Sequence, residues 1–388
     1  MAFPEKKRKK MEEPSSTLQI LTQNPSLPDE LLMTCVARTS RLDYPTLSLV
    51  SKSFGSLLAS PELYKVRSML GHTDLCLYVC FKSSYESRLF TLCRKPDQTL
   101  TLANKEKKKK TSSGYALVRV PLHHSPGDGS PVLVAVGSDI YNIGSESYYN
   151  EPSSSVSVMD CRFHTWHETT SKRVDRMLLS ASVVDRKIYV AGSHKDSLEE
   201  SFEVFDTETQ VWETLPIPPE FPPRDLKDFK VLKSKSECFE GKFHVNTHDG
   251  VFCYNPKEGR WDKSAPRMSS LCFSEPCCEI GNVLYTFCDD GVLIWFDTKV
   301  RRWRNLKSLV GLPRLPPGVS GRMVDYGGNM VVLWDENLRS SGEKMIWCAE
   351  IALERCENCK IWGKVEWFDH VLTVPMGYSF GNVVVATV

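Results

Sequence analysis

The sequence predicts an all-β propeller carried behind a small all-α segment. Six blades are expected, five being the alternative. Three observations point there. An acid or amide precedes a tryptophan by six residues four times: Asp160 and Trp166, Asp206 and Trp212, Asn255 and Trp261, Asp297 and Trp303. Successive tryptophans of this set lie 46, 49 and 42 residues apart, and four strands in roughly 40–50 residues make one propeller blade. A helical apolar pattern is confined to residues 27–71, ahead of the repeats.

The 388 residues leave room for one large and one small domain. Composition is that of a globular protein, 41% hydrophobic and 25% charged. The net charge of +1 gives no global field toward nucleic acid or a membrane, so neither is expected as a partner. No apolar run approaches the ~18 residues of a membrane span. The basic cluster Lys6-Lys7-Arg8-Lys9-Lys10 is not followed by an apolar stretch, which argues against a secretory signal. The 14 cysteines are scattered, a pattern of reduced intracellular thiols. Pro25 blocks Asn24-Pro25-Ser26 as a glycosylation site. The expected location is therefore cytoplasm and/or nucleus. Lys6–Lys10 reads equally as a nuclear import signal or a solvated tail, and Lys107–Lys110 as a solvated loop.

In chain order, residues 1–26 are Lys-, Glu-, Ser- and Pro-rich and are expected to be disordered. Residues 27–71 form the helical domain. Pro28, Asp29 and Glu30 suit a first helical turn, where no N–H is needed and acids oppose the dipole. Pro45 marks a second start, after which Leu47, Val50, Phe54, Leu57 and Leu58 fall along one helical face. So short a segment cannot bury that face alone and needs a partner. From residue 72 to 388 the pattern is β. Leu75–Cys80 and Leu89–Cys93 read as a hairpin, 104–113 and 121–131 as loops, and short strands run from about 132 onward.

Each repeat resolves into two hairpins. Ser155–Val158, Phe202–Phe205, Val251–Tyr254 and Leu293–Phe296 are strand-like runs before the Asp or Asn. That residue suits the first position of a tight turn, its side chain bonding the backbone two residues on. Earlier turn signals are Asp185-Arg186, Glu240-Gly241, Gly281-Asn282 and Gly327-Gly328. The tryptophan is large enough to fill the gap between neighbouring blades, burying about 150–250 Å². A fifth unit centres on Trp362 but lacks the acid at this spacing. A ring must hide its edges. The C-terminal run Gly381–Val388 joined to the hairpin at 75–93 makes a shared sixth blade.

Ile188-Tyr189-Val190-Ala191-Gly192-Ser193, followed by Asp206 and Trp212, resembles a kelch repeat. The usual double glycine is replaced by Gly144-Ser145 and Gly192-Ser193 and is missing from later units. Leu27-Pro28-Asp29-Glu30-Leu31-Leu32 and Leu47-Ser48-Leu49-Val50-Ser51-Lys52-Ser53-Phe54 resemble an F-box, with Phe54 where many carry Trp and Val36-Ala37 where a bulkier pair is usual. With residues 59–71 and the repeats, the chain resembles the plant F-box/kelch-repeat family from Leu27 to Val388. The resemblance implies a substrate receptor of a Skp–cullin–F-box (SCF) ubiquitin ligase. A Skp-type adaptor, and through it a cullin–RING scaffold, would dock on Leu27, Pro28, Leu31, Leu32, Leu47, Val50, Phe54 and Leu58. The propeller face would hold an unidentified protein target. Chemistry would belong to other subunits, this chain supplying proximity.

Other chemistries find little support. Cys356-Glu357-Asn358-Cys359 has zinc-knuckle spacing but no second pair. His244 and His248 lie in strand and turn rather than on one helix face, and His164 and His167 flank a turn. No phosphate loop, dinucleotide fingerprint or Gly-x-Ser-x-Gly is present. No cofactor, metal or catalytic residue is expected. The remaining alternatives are a kelch-propeller scaffold acting without a cullin and, behind it, a propeller enzyme.

Overall fold

The computed structural model describes residues 28–84, 86–95, 114–120, 131–145, 154–175, 177–193, 202–217, 237–247, 250–263, 276–288, 290–316, 318, 320–338, 341–356 and 360–388. The 1–26 tail, Leu27, both lysine clusters, the 104–113 loop, residues 121–130, His248 and Cys359 lie outside them.

Among the described residues, four helices come first: α1 (Asp29–Ala37), α2 (Tyr44–Ser48), α3 (Lys52–Leu58) and α4 (Pro61–Met69), with a 3-10 turn at Arg41–Asp43. Asp29 and Glu30 occupy the first turn of α1, and Pro45 sits at the start of α2. The Ser51 hydroxyl caps α3 by accepting the Phe54 N–H at 3.2 Å, and Ser60 caps α4 through the Leu63 N–H at 3.3 Å. The single stripe expected from Leu47 to Leu58 is corrected here. The chain turns at Leu49-Val50, and Ser51 is extended at φ −163° and ψ 164°. A serine able to cap begins a new helix in place of continuing the old one.

Three strands follow: β1 (Leu75–Lys82), β2 (Ser87–Arg94) and β3 (Tyr115–Val120). Blade one is β4 (Pro131–Val136), β5 (Asp139–Ser145), β6 (Ser157–Asp160) and β7 (Thr165–Glu168). Blade two is β8 (Met177–Val184), β9 (Lys187–Ser193), β10 (Phe202–Asp206) and β11 (Val211–Thr214). Blade three is β12 (Glu237–Phe239), β13 (Lys242–Thr247), β14 (Gly250–Asn255) and β15 (Arg260–Lys263). Blade four is β16 (Cys277–Ile280), β17 (Val283–Phe287), β18 (Leu293–Asp297) and β19 (Arg302–Asn305). Blade five is β20 (Gly321–Tyr326), β21 (Asn329–Leu338), β22 (Glu343–Cys356) and β23 (Lys360–Pro375). The last strand, β24 (Ser379–Thr387), pairs with β1 and completes blade six in the order β24-β1-β2-β3. The first-named strand of each sheet lines the centre, β24 lying between β20 and β4. The protein is a six-bladed propeller with four helices ahead of it. Blade six takes three strands from the N-terminal side, the outer one being β3, which the sequence reading passed over.

The opening repeat has a common geometry in blades one to four. The Asp160, Asp206, Asn255 and Asp297 side chains each accept the N–H two residues on, at 2.8, 2.9, 3.1 and 3.1 Å. Four residues after each comes a left-handed residue: His164, Gln210, Gly259 and Arg301, at φ 54°, 59°, 64° and 51°. The following strand then places every tryptophan opposite the residue before the acid: Met159 and Trp166, Phe205 and Trp212, Tyr254 and Trp261, Phe296 and Trp303. The earlier turns also fall in the left-handed region, with Asp185-Arg186, Glu240-Gly241, Gly281-Asn282 and Gly327-Gly328 all between 47° and 91° in φ. Two such residues match the right-handed twist of a hairpin.

Asn255 does without charge what the aspartates do, so the turn depends on the side-chain acceptor. The Lys187 ammonium, with two N–H groups, holds the Asp206 carboxyl down at about 2, but the lysine is exposed and the carboxyl only half-buried, so the pair is screened and adds little. Asp206→Asn is therefore expected to change stability by less than about 0.5 kcal/mol and Asp206→Ala to cost about 1 kcal/mol. Urea midpoints of the two variants check this, and an equal loss in both would contradict it.

Each tryptophan packs against the preceding blade. Trp212 joins the cluster of Val134, Tyr141 and Val158, and Trp261 that of Tyr189 and Phe202. Their indole N–H groups donate to the carbonyls of Thr170 at 2.9 Å and Pro216 at 2.6 Å, each four residues past the tryptophan of the blade before. Trp212 and Trp261 are buried, while Trp166 and Trp303 are half-buried.

Blade five departs from the pattern. Its outer strands are 14 and 16 residues long, not short, with bulges at Ile346/Trp347 and Glu350/Ile351. Trp362, expected at the repeat position, lies on the extended tip opposite Glu354 and is 43% exposed. That tip runs beside Lys307, whose N–H donates to the Ile361 carbonyl at 3.2 Å. Gly363 packs closely there: a Cβ would stand 2.7 Å from Leu309 Cδ2, so a larger residue would have to displace that side chain.

Candidate protein-docking surfaces

The helices sit on the rim of blades six and one. Arg41 Nη2 donates to the Cys161 carbonyl at 2.7 Å and the Tyr64 hydroxyl to the Arg162 carbonyl at 2.8 Å. Tyr64 meets Phe163 edge-on with ring centroids 5.1 Å apart. Those acceptors belong to the outer turn of blade one. Buried Arg67 ties the helices together, donating to the Ala37 and Thr39 carbonyls at 3.0 Å and to the Tyr44 hydroxyl at 3.1 Å, and pairing with Asp74 at 2.8 Å. One apolar cluster runs from Val36, Ala37, Leu58 and Leu63 into Tyr78, Leu89, Ile140 and Ala386. Val36 and Ala37 are both buried at the end of α1, where Arg67 Nη1 meets the Ala37 carbonyl. The last helix ends at Met69 and the first strand begins at Leu75, yet the two parts share a core.

The residues predicted to meet an adaptor therefore divide. Leu27 lies outside the described residues. Pro28, Leu31 and Val50 face solvent, with Leu31 53% and Val50 63% exposed. Leu32, Leu47 and Phe54 are half-buried against the shared cluster, and Leu58 is inside it at 8%. Leu49, which the stripe argument did not single out, is 78% exposed beside Val50. The α2–α3 turn presents this pair outward, and a helical projection through the break had concealed it.

On the opposite face of the ring, β5 and β9 end at Ser145 and Ser193. The centre holds a cavity of about 470 Å³ lined by the inner strands, with Ser180, Ser182, Glu279 and Arg322 among its walls. Burial raises the Glu279 carboxyl. Arg322 donates to the Gly381 carbonyl at 2.9 Å and the Phe380 carbonyl at 3.0 Å, joining blade five to β24. Neither His164 nor His244 assembles a metal site. Burial lowers both to about 4, and their ring nitrogens meet the Tyr78 hydroxyl at 2.9 Å and the Phe239 carbonyl at 3.3 Å. No group of three or more His, Cys, Asp or Glu suited to a metal occurs among the described residues.

Comparison with known proteins matches the F-box domain over residues 25–66 and the FKB95 Kelch-repeats domain over residues 89–372. The chain belongs to the F-box/kelch-repeat family. This F-box/kelch-repeat chain is 56% identical over 375 residues to the F-box/kelch-repeat protein At5g51250 of Arabidopsis thaliana, covering 93% of the chain and 99% of that relative. It is 48% identical over 393 residues to the Arabidopsis thaliana F-box/kelch-repeat protein At4g39550, covering 98% of each. The F-box match spans α1 to α3 and enters α4, and the kelch match runs from β2 to β23.

Proposed function

We propose that the chain is the substrate-receptor subunit of an SCF ubiquitin ligase in the cytoplasm or nucleus. The helices dock a Skp-type adaptor and, through it, a cullin–RING scaffold. The propeller holds a protein target for ubiquitination and degradation. The chain contributes proximity and does no bond chemistry itself. One observation carries this reading: Leu31 on α1 and Leu49 and Val50 on the α2–α3 turn stay exposed, while the helices around them bury other side chains against the propeller. Exposed apolar side chains grouped on a short helical unit mark an interaction surface. The shared core with the propeller holds that surface at a fixed orientation to the target-facing side, which favours transfer to a bound target over transfer to bulk protein.

A paired titration tests it. Purified Skp adaptor is added to wild type and to a Leu49→Asp/Val50→Asp variant, with circular dichroism verifying the fold. Buried interface anchors are each worth about 2 kcal/mol or more, so the variant is expected to bind over tenfold more weakly with an unchanged spectrum. Absence of wild-type binding at tens of micromolar, on the weak side of the roughly micromolar range for a standard interface, would contradict the reading. The scaffold alternative would then take its place.

A further inference from the structure

Between α2–α3 and the outer strands of blade six lies a cavity of about 330 Å³. That is within the range of small-molecule pockets, roughly 300–1,000 Å³. Its walls are mostly apolar, with Leu58 from α3 and Leu92 and Val118 from β2 and β3. Its charged lining is cationic: Arg41, Arg119 and Arg162 contribute, and no Asp or Glu does among the described lining residues.

The acids nearby are already engaged. Asp160 pairs with Arg162 at 2.7 Å, Asp74 with Arg67 at 2.8 Å, and Asp43 with Arg94 at 3.5 Å. Arg162 is thereby neutralised, whereas neither Arg41 nor Arg119 lies within ion-pair distance of a carboxylate among the described residues. Arg41 is the more demanding of the two. Its Nη2 is satisfied by the Cys161 carbonyl, but Nη1 is out of solvent without an acceptor. Its guanidinium carbon stands 5.4 Å from the Tyr64 ring centre and 6.0 Å from that of Tyr44. Aromatic faces ease the charge, but they supply no hydrogen-bond acceptor. A guanidinium left without an anion in a partly dry site is costly. His164 does not compete for an anion, being neutral and engaged by Tyr78.

We propose that this cavity binds a small amphipathic monoanion, its carboxylate taken by Arg41 and its apolar body lying between α3 and blade six. Planar carboxylates match a guanidinium fork, and the walls select against a fully hydrated anion. The site lies behind the α2–α3 turn that carries Leu49 and Val50 and so rests beside the surface of the ligase reading, but its occupancy is measured without an adaptor. Its failure is therefore separable from failure of the ligase reading.

The test is calorimetric titration of octanoate into the full chain, with octylammonium and inorganic phosphate as controls. Octanoate is expected to bind one saturable site, and both controls at least about tenfold more weakly. Arg41→Gln is expected to weaken octanoate about tenfold. Because Arg41 also holds the helices to blade one, a second variant guards against misfolding. Val118 is 43% exposed on a strand, where an aromatic is tolerated. Val118→Trp is expected to fill the cavity mouth and abolish binding with the fold intact. The proposal is overturned if octanoate gives no saturable heat up to about 5 mM, if octylammonium or phosphate binds as well, or if Val118→Trp binds octanoate as wild type does.

Discussion

Removal of Gly381–Val388 is expected to abolish cooperative folding of the ring. These residues make up most of β24, the inner strand of blade six. Without them β1 loses its ladder partner along Leu75–Val79, and its buried Leu77 and Val79 side chains lose their cover. Arg322 loses the Gly381 carbonyl, and the Thr387 N–H no longer donates to the Gly137 carbonyl at 2.8 Å. Blades five and one then flank a three-stranded sheet with an open edge. The loss involves a whole strand of an interlocked ring, so its scale is that of the entire stability of a domain, about 5–15 kcal/mol. Near-ultraviolet circular dichroism during heating reads the result. A deletion variant with an unchanged thermal transition would contradict closure through β24.

Trp212→Ala is expected to cost about 3–5 kcal/mol, the range for removing a buried aromatic. Trp212 is 5% exposed, tilts against Phe205 with ring centroids 4.8 Å apart, and reaches across to blade one through its indole N–H. Its removal opens a cavity between two blades and leaves the Thr170 carbonyl unpaired. Trp362→Ala serves as the contrast. That side chain lies on the solvent-facing tip of β22–β23, and its loss should change stability by less than about 0.5 kcal/mol. Guanidinium midpoints for the two variants decide the matter. Similar losses in both would sink the assignment of the repeat tryptophan to the blade interface.

This contrast also shows what the sequence could reveal. The Asp-to-Trp repeat was legible because its geometry is local: six residues hold the acid, the turn and the start of the returning strand. The earlier hairpin turns of blades two to five were legible for the same reason, since paired left-handed residues favour Gly, Asn and Asp. Blade five was misread at Trp362 because two bulges and a longer hairpin move the interface away from the repeat spacing. The outer strand of blade six, Tyr115–Val120, pairs with β2 across 20 intervening residues, from Lys95 to Gly114, a separation too long for a short-range turn motif to announce it. On the helices, periodicity identified an apolar face without saying which side meets the propeller. Leu58 turned inward and Leu49 outward because Ser51 starts a new helix between them.

The most direct test of the central claim is affinity purification of the tagged chain from proteasome-inhibited cells, read by mass spectrometry. Wild type is compared with the Leu49→Asp/Val50→Asp variant. The account predicts that wild type carries a Skp adaptor, a cullin and at least one further protein that accumulates only under inhibition. The variant should keep that further protein and lose the adaptor and cullin together. A wild-type preparation holding a stable partner but no adaptor or cullin, or a variant retaining both at wild-type levels, would contradict it.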